Sequence, residues 1–390
     1  MPAGSFEALE TAVYFGADAV YAGGPFMQLR SEGAAFDSGA LESAVSYCHE
    51  RGVKLYVTVN CFAREDELSL LGDYARSLCA MGADAAIVSD LGVIDIFKKA
   101  APDLPVHVST QANIQNSAAA RAFYNMGASR VVLGREMTLD DIARLRADTP
   151  PELEIETFVH GAMCMAYSGR CLISSFMNGR SGNRGECTQP CRWMYRVVEE
   201  KRPGQVFEVV EDSESTAFFS SHDLNCISFL DKIAAAGVRS FKVEGRMKSP
   251  YYVATVANAY RRRMDGFCDI AALDTELDRA SHRPYSSGFY FGYEKYDPHN
   301  DGQYRSSGKF VAVVLGGSDG NYTVEMRNRF AAGEELEILS PRSLGKTVNV
   351  GSITDLDGNG KSEAILPCER VLISCDAELH AGDMLRRRLP

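Results

Sequence analysis

Cys164, Cys171, Cys187 and Cys191 fall within 28 residues, in the run HGAMCMAYSGRCLISSFMNGRSGNRGECTQPCR, and Cys226 follows as a fifth candidate. Thiols packed this densely among glycines and arginines, rather than among aliphatic side chains, are what a metal centre requires. The spacings Cys164-x6-Cys171 and Cys187-x3-Cys191 are not the C-x2-C pairs of a zinc ribbon, and no His-x3–5-His follows them, which makes zinc the weaker reading. An iron–sulfur cubane is larger than a single ion and accepts thiolates from irregularly spaced loops, so five cysteines compete for four places. The bland alternative, buried unligated thiols, fits poorly with Arg170, Arg180, Arg184 and Arg192 in the same stretch.

Those cysteines need a frame to hold them. Short β-rich runs recur at 19–23, 54–60, 85–90, 106–111, 130–136, 154–161 and 240–246, with helix-period segments between them. That alternation is the grammar of a parallel sheet. The phrases GADAVY, GADAAI and GASRVV each close a helix with glycine and open the next strand, as copies of one βα unit would. Met1 to Gly4 reads as the remnant of a first strand whose beginning is missing. The expected fold is a (β/α)8 barrel; a doubly wound sheet is the alternative, disfavoured because no G-x-G-x-x-G follows the first strand.

In a barrel, the residues that end the strands line one rim, where sites are built. They are Asn60, Asp90, Thr110, Gln111, Arg135, Glu136, His160, Glu244 and Arg246. Arg135, Arg246 and Lys248 are placed to grip a carboxylate, with an ion pair of Arg246 to Glu244 or Glu136 as the structural alternative. His160, four residues before Cys164, is placed to orient a thiolate or donate to substrate, or to serve as a hydrogen-bonded structural histidine. Asn60, Thr110 and Gln111 are suited to reading a base edge, and Arg192 to substrate binding.

The expected organisation is a barrel over 1–285 with a cysteine-rich insertion at 162–240, a linker at 286–307 and a β domain at 308–390. The insertion carries a hairpin from MYRVVEE to QVFEVVE, and residues 261–287 read as a helix and linker. After Gly308 the pattern turns to period two in KFVAVVLG, NYTVEMRN, EELEILS, TVNVGSI, EAILP and RVLIS, the marks of a small barrel.

The 390 residues suffice for a barrel plus a smaller domain, and mean hydropathy is -0.16 with no apolar run of membrane length. No secretion signal opens the chain, so a cytoplasmic location is expected, where thiols stay reduced. The formal charge of -11 argues against coating nucleic acid unspecifically but leaves room for a local basic groove. The dense basic runs are Arg261 to Arg263, Arg386 to Arg388 and the arginines of the insertion. No G-x-S-x-G or H-E-x-x-H marks a peptidase, and a cysteine committed to iron is unavailable as a nucleophile.

The chain resembles the U32 family. Its signature of Glu-x-Phe-x-x-Gly-Ala-x-Cys, six residues, then Cys-x-x-Ser reads here as Glu156 to Cys164 and Cys171 to Ser174. PAGSFEAL, GADAVYAGG, Asn183 to Arg192, Phe241 to Ser249 and Arg283 to Gly292 extend the likeness over nearly the whole chain. The resemblance implies either peptidase activity, for which the family was named, or hydroxylation by members that carry a [4Fe-4S] cluster. Three of their ligands match Cys164, Cys171 and Cys187, and the fourth matches Cys226 by spacing, with Cys191 as the alternative. The layout is most similar to the prephenate-dependent branch that hydroxylates the tRNA wobble uridine, which implies prephenate as co-substrate and tRNA as partner. A cluster-bearing protein without activity of its own is the third possibility, and electron-transfer or sulfur-delivery partners are not legible.

Overall fold

The computed structural model describes residues 1–29, 35–164, 166–193, 222–292 and 304–389. The chain divides into two compact units: Met1–Leu9, Asp18–Met247 and His282–Tyr304 form the first, and Glu10–Ala17, Lys248–Ser281 and Arg305–Pro390 the second. The hairpin expected between MYRVVEE and QVFEVVE lies outside the described residues.

Strand and helix alternate in chain order: β1 (Pro2–Ala3), α1 (Phe6–Tyr14), β2 (Ala19–Gly23), α2 (Ser38–His49), β3 (Lys54–Val59), α3 (Leu68–Ala80), β4 (Ala85–Val88), α4 (Leu91–Ala100), β5 (Val106–Val108), α5 (Ser117–Asn125), β6 (Ala128–Val132), α6 (Leu139–Ala147) and β7 (Glu154–Ala162). There follow α7 (Ile173–Asn178) in the insertion, β8 (Asp223–Asn225), α8 (Leu230–Ala235) and β9 (Ser240–Val243). Strands β1 to β7 pair in order, and β9 joins β7, all parallel. All seven runs read from the sequence are strands, and Pro2–Ala3 fills the first position by pairing with Tyr21 and Ala22. Across the remaining seam, Tyr21 Oη donates to the Val243 carbonyl at 2.8 Å.

Local chemistry sets the element ends. Asp37, Asp90 and Asn116 accept backbone N–H bonds as N-caps, and Thr138 with Asp141 forms a capping box. Gly82 and Gly127, from the repeated phrase, close α3 and α5 at φ +81° and +93°, where a side chain would be strained.

One addition was not foreseen. Strand β8 runs antiparallel to the end of β7, pairing Ala162 with Asp223 and His160 with Asn225, and β10 (Tyr285–Ser286) runs parallel to β8. This strap is locked by a fully buried ion pair: Arg283 Nη2 and Nε donate to Asp223 Oδ1 at 2.8 and 3.0 Å.

Inside the barrel, Tyr21, Tyr56, Ala85 and Ile87 pack together, and charges share that interior. Glu156 accepts from Lys242 Nζ at 2.8 Å, Arg130 Nη1 at 3.0 Å and Ser240 Oγ at 2.6 Å. His107 stands edge-on to Tyr56 with ring centroids 4.7 Å apart. Burial, and then the Arg130 charge, push its pKa down to about 3. The fold therefore holds His107 neutral while the unfolded chain binds a proton below its usual value of about 6.5. Stability is full above that pH and falls on acidification, approaching roughly 1.4 kcal/mol per pH unit. Urea unfolding between pH 7 and 5 should show this slope, and His107→Gln should flatten it; equal slopes would refute the assignment.

The second unit holds α9 (Pro250–Met264), α10 (Ile270–Leu277) and a closed β barrel. Helix α9 starts at Pro250, under a Ser249 cap, well before the helix expected from residue 261. The later strands are β11 (Gly308–Ser318), β12 (Asn321–Met326), β13 (Phe330–Ala331), β14 (Glu335–Leu339), β15 (Thr347–Thr354), β16 (Gly360–Lys361), β17 (Glu363–Ala364), β18 (Arg370–Cys375) and β19 (Met384–Arg388). Six of them close in the order β14-β19-β11-β12-β18-β15 and back to β14, around Val311, Val324, Leu336, Val350, Ile373 and Leu385. EAILP was expected to be one of the six. It supplies only the two-residue β17, and the Arg386–Arg388 run takes its place within β19.

Of the arginines read as basic runs, Arg386 to Arg388, Arg261 and Arg262 are occupied. Arg386 is buried and donates to Glu276 and Glu337, Arg387 to Glu334 and Arg388 to Glu337. Arg261 pairs with Asp265, and Arg262 donates to Asn258 and to the carbonyls of Ser340 and Pro341.

Candidate functional site at the barrel mouth

The C-terminal ends of β3, β5, β6, β7 and β9 bring most of the expected residues to one rim. Asn60 Nδ2 donates to Ser109 Oγ at 3.4 Å, and Thr110 Oγ1 donates to the Leu133 carbonyl at 3.0 Å. Asp90 is spent as the α4 cap.

Arg135, just beyond β6, holds its guanidinium carbon over the Phe158 ring, 3.9 Å from the centroid, donates from Nη1 to the Ala162 carbonyl at 2.6 Å, and stands 3.7 Å from Glu244 Oε2. Glu244, offered as a partner for Arg246, thus also faces Arg135. Arg246 is buried and forks between Thr58 Oγ1 and Gln28 Oε1. Gly23 makes room for that fork, since a Cβ there would stand 2.6 Å from Gln28 Oε1 and 3.0 Å from Arg246 Nη1.

Three polar atoms at this rim are buried without a hydrogen-bond partner: Gln111 Oε1, Arg135 Nε and Glu136 Oε2. Such atoms are rare in a folded chain and point to a missing polar partner. Burial pushes the Glu136 carboxyl above its ordinary value, against the lowering effect of backbone N–H bonds and Arg135. Glu136 Oε2 and Asn113 Oδ1 flank the position a Cβ on Gly134 would take, at 3.0 and 3.2 Å, and Gln115 Nε2 donates to Asn113 Oδ1. Asn113 and Gln115 went unremarked in the sequence, although the run Gln111-Ala-Asn113-Ile-Gln115 sets three amides at period two.

His160 is buried on β7, its ring 5.4 Å from that of Tyr285, which stacks on His282 at 3.9 Å. The sequence offered the segment 283–292 as a likeness only. Its role in covering His160 depends on β8 and β10, which are too short to show periodicity. Lys248 falls in the second unit, where Nζ donates to the Ser281 carbonyl and lies 5.1 Å over Tyr252. The Arg192 side chain lies outside what the structure describes.

The described part of the insertion is pinned to this rim at two places. Gly169, between Cys164 and Cys171, sits so close that a Cβ would come within 2.7 Å of the Gln111 carbonyl and 3.3 Å of Phe62. Arg184 donates to the Phe62 carbonyl at 2.6 Å and pairs with Glu67 at 2.5 Å. Within the loop, Asn183 Nδ2 donates to the Cys171 carbonyl, Thr188 N donates to Ser174 Oγ, and Gln189 N donates to Cys187 Sγ at 3.4 Å. A backbone N–H aimed at sulfur is the contact that favours a thiolate ligand.

Cys164 and Cys187 are exposed and Cys171 and Cys191 half-buried, whereas Cys226 is fully buried and its thiol is pushed well up by desolvation. Cys226 N donates to the Val159 carbonyl, so the register sets it deeper along β7 than the loop bearing Cys164. Among the described residues, no three His, Cys, Asp or Glu side chains form a group that could hold a metal ion. The donor set nevertheless fits a cluster in kind: four thiols, three on one glycine-rich loop, and one sulfur already receiving a backbone N–H.

Comparison with known proteins agrees with this frame. Residues 4–300 match the model of peptidase family U32, and residues 306–386 match that of the peptidase family U32 C-terminal domain. The chain is 34% identical to tRNA hydroxylation protein P1 of Bacillus subtilis, over 99% of this chain and 93% of that protein. It is also 34% identical to tRNA hydroxylation protein P of Escherichia coli, over 93% of this chain and 89% of that one. A collagenase of Porphyromonas gingivalis is 33% identical over 75% of this chain and 72% of its own length. With both of its units matched and relatives aligned end to end, the chain belongs to peptidase family U32.

Proposed function

We propose that this U32-family enzyme hydroxylates RNA, with a tRNA wobble uridine as the modified base, prephenate as co-substrate and a [4Fe-4S] cluster held by Cys164, Cys171, Cys187 and Cys226, or Cys191 in place of the last. The observation that carries the reading is the near full-length likeness to two proteins named for tRNA hydroxylation. Bound by these thiolates, the cluster supplies one-electron redox chemistry.

The chain's own residues account for binding and proton placement. Arg135, with Nε unsatisfied and its guanidinium over Phe158, is set to receive a carboxylate. Glu136, its pKa raised by burial, holds or releases a proton at the rim. Gln111 presents a free carbonyl oxygen suited to an N–H of a base. Rim and insertion together form a mouth for an extruded base, which an enzyme acting on a paired or stacked nucleotide must unstack.

The test is made on anaerobically purified protein and on tRNA from a deletion strain. The wild type should contain about four irons per chain, and Cys187→Ser should lose most of that iron. Complementation with the wild type, but not with Cys187→Ser, should restore the hydroxylated wobble nucleoside by mass spectrometry. The collagenase likeness keeps a second reading alive: an iron-free protein that digests gelatin would establish it and overturn the first. Iron-bearing protein whose deletion leaves tRNA nucleosides unchanged would instead mark a cluster-bearing partner.

A further inference from the structure

The surface of the insertion deepens that reading, on which this inference rests. Tyr167, Leu172, Phe176, Met177 and Trp193 all expose large apolar side chains within 27 residues, Phe176 at 91% and Leu172 at 67%. Phe176 N donates to the Leu172 carbonyl, which sets those two side chains one turn apart, and large apolar side chains exposed this often are not ordinary surface. Phe176 and Met177 stand on α7, which is tethered by Asn178 Nδ2 donating to Thr188 Oγ1 at 2.7 Å and by the Ser174–Thr188 bonds. The apolar side chains are thus offered from a fixed turn.

Charge selects the occupant. Residues 164–193 carry four arginines and one glutamate, in a chain of net charge -11. Of the other arginine runs, Arg386, Arg387 and Arg388 are each paired with glutamates, and Arg261 and Arg262 are bonded within their own unit. Arg184 is committed to Glu67. Arg170 is exposed and lies between Tyr167 and Leu172 in the sequence. Exposed aromatic rings interleaved with arginine are the means by which proteins bind unpaired nucleic acid, by stacking bases and drawing the phosphates. An apolar face built for a protein partner or for a second copy would not need four arginines against one glutamate in so short a stretch.

We propose that the Tyr167–Trp193 face of the cysteine insertion binds unpaired RNA, with Phe176 as a stacking platform and Arg170 as a phosphate contact. The face then grips the nucleotides flanking the target base, while the rim beneath it receives the base itself.

The experiment measures fluorescence anisotropy of full-length, anaerobically purified protein with unmodified tRNA and, as a control, with an RNA duplex of similar length. Phe176→Ala should weaken tRNA binding about five- to hundred-fold and leave duplex binding unchanged. Arg170→Ala should lower the slope of log K against log salt by about 0.7, and Arg170→Lys should restore it. Phe176 is almost wholly exposed, so its variant is expected to fold, and a thermal melt checks this. Unchanged tRNA binding by a folded Phe176→Ala protein overturns the proposal, as does an equal loss for tRNA and duplex. If Phe176→Ala leaves tRNA binding intact but abolishes self-association in sedimentation, the face belongs to a second copy and the proposal fails. Wild-type protein that binds no tRNA overturns the RNA reading as a whole, an outcome distinct from failure of this face alone.

Discussion

Replacing Glu156 with alanine is expected to destabilise the protein by about 3–5 kcal/mol, because it strips the shared counter-charge from two buried cations. Lys242 Nζ reaches Glu156 Oε1 at 2.8 Å and otherwise rests over the Tyr21 ring at 4.2 Å. Arg130 keeps Glu154 at 2.6 Å, but that carboxylate is half exposed. Burial alone would push the Glu156 pKa up; Lys242 and Arg130 outweigh it and hold the carboxyl far below its usual range. A depressed pKa contributes stability above the unfolded value of about 4.3, and that stability is lost as pH falls toward the folded one. The gap between wild type and Glu156→Gln in urea unfolding should therefore stay constant from pH 6 to 9 and narrow below about pH 4. The double variant Glu156→Leu with Lys242→Met should recover much of the loss, since a buried pair replaced by apolar groups is often tolerated. A cost under about 1 kcal/mol for Glu156→Ala would mean that water reaches the cluster, and would refute its role as a dry ionic core.

That cluster left no local trace in the sequence. Glu154 and Glu156 alternate with Ile155 and Thr157, as polar residues on a solvated strand face would, and only barrel closure turns Glu156 toward Lys242 and Arg130. What could be read was whatever is written at short range. The β-rich runs, the Gly-Ala-Asp hinges and the rim residues all follow from period and turn chemistry, and the structure returns them nearly where expected.

Pairings made across the fold could not be read. Arg386 to Arg388 look like a basic tail until Glu276, Glu334 and Glu337 arrive from distant segments, and this concealed β19. Arg246 was matched to Glu244 or Glu136, yet its guanidinium also forks to Gln28 and Thr58 on distant segments, and Glu244 stands 3.7 Å from Arg135. Strands β8 and β10, three and two residues long, fall below any periodic signal. The cysteines occupy a middle position: their spacing could be read as a set of candidate ligands, while most of the chain between Cys191 and Cys226 lies outside the described residues.

On the proposed prephenate-dependent hydroxylation, Arg135→Lys is expected to lower the rate about 10- to 100-fold at limiting co-substrate, with stability changed by no more than about 1 kcal/mol. The substitution preserves charge and removes shape. A guanidinium can lie on Phe158, donate to the Ala162 carbonyl and still present a second N–H edge through Nε, which is buried and unsatisfied. An ammonium is a point charge that cannot do all three. Glu244, at 3.7 Å, is too distant to saturate the guanidinium but near enough to hold its plane. If Arg135 grips the co-substrate, the loss should appear as a raised KM for prephenate that saturating concentrations largely overcome. A fall in kcat at unchanged KM would point to a group acting only in the transition state. Wild-type kinetics from a protein with a lowered melting temperature would reduce Arg135 to a structural strut between β6 and β7, and would remove the basis for placing a carboxylate at this rim.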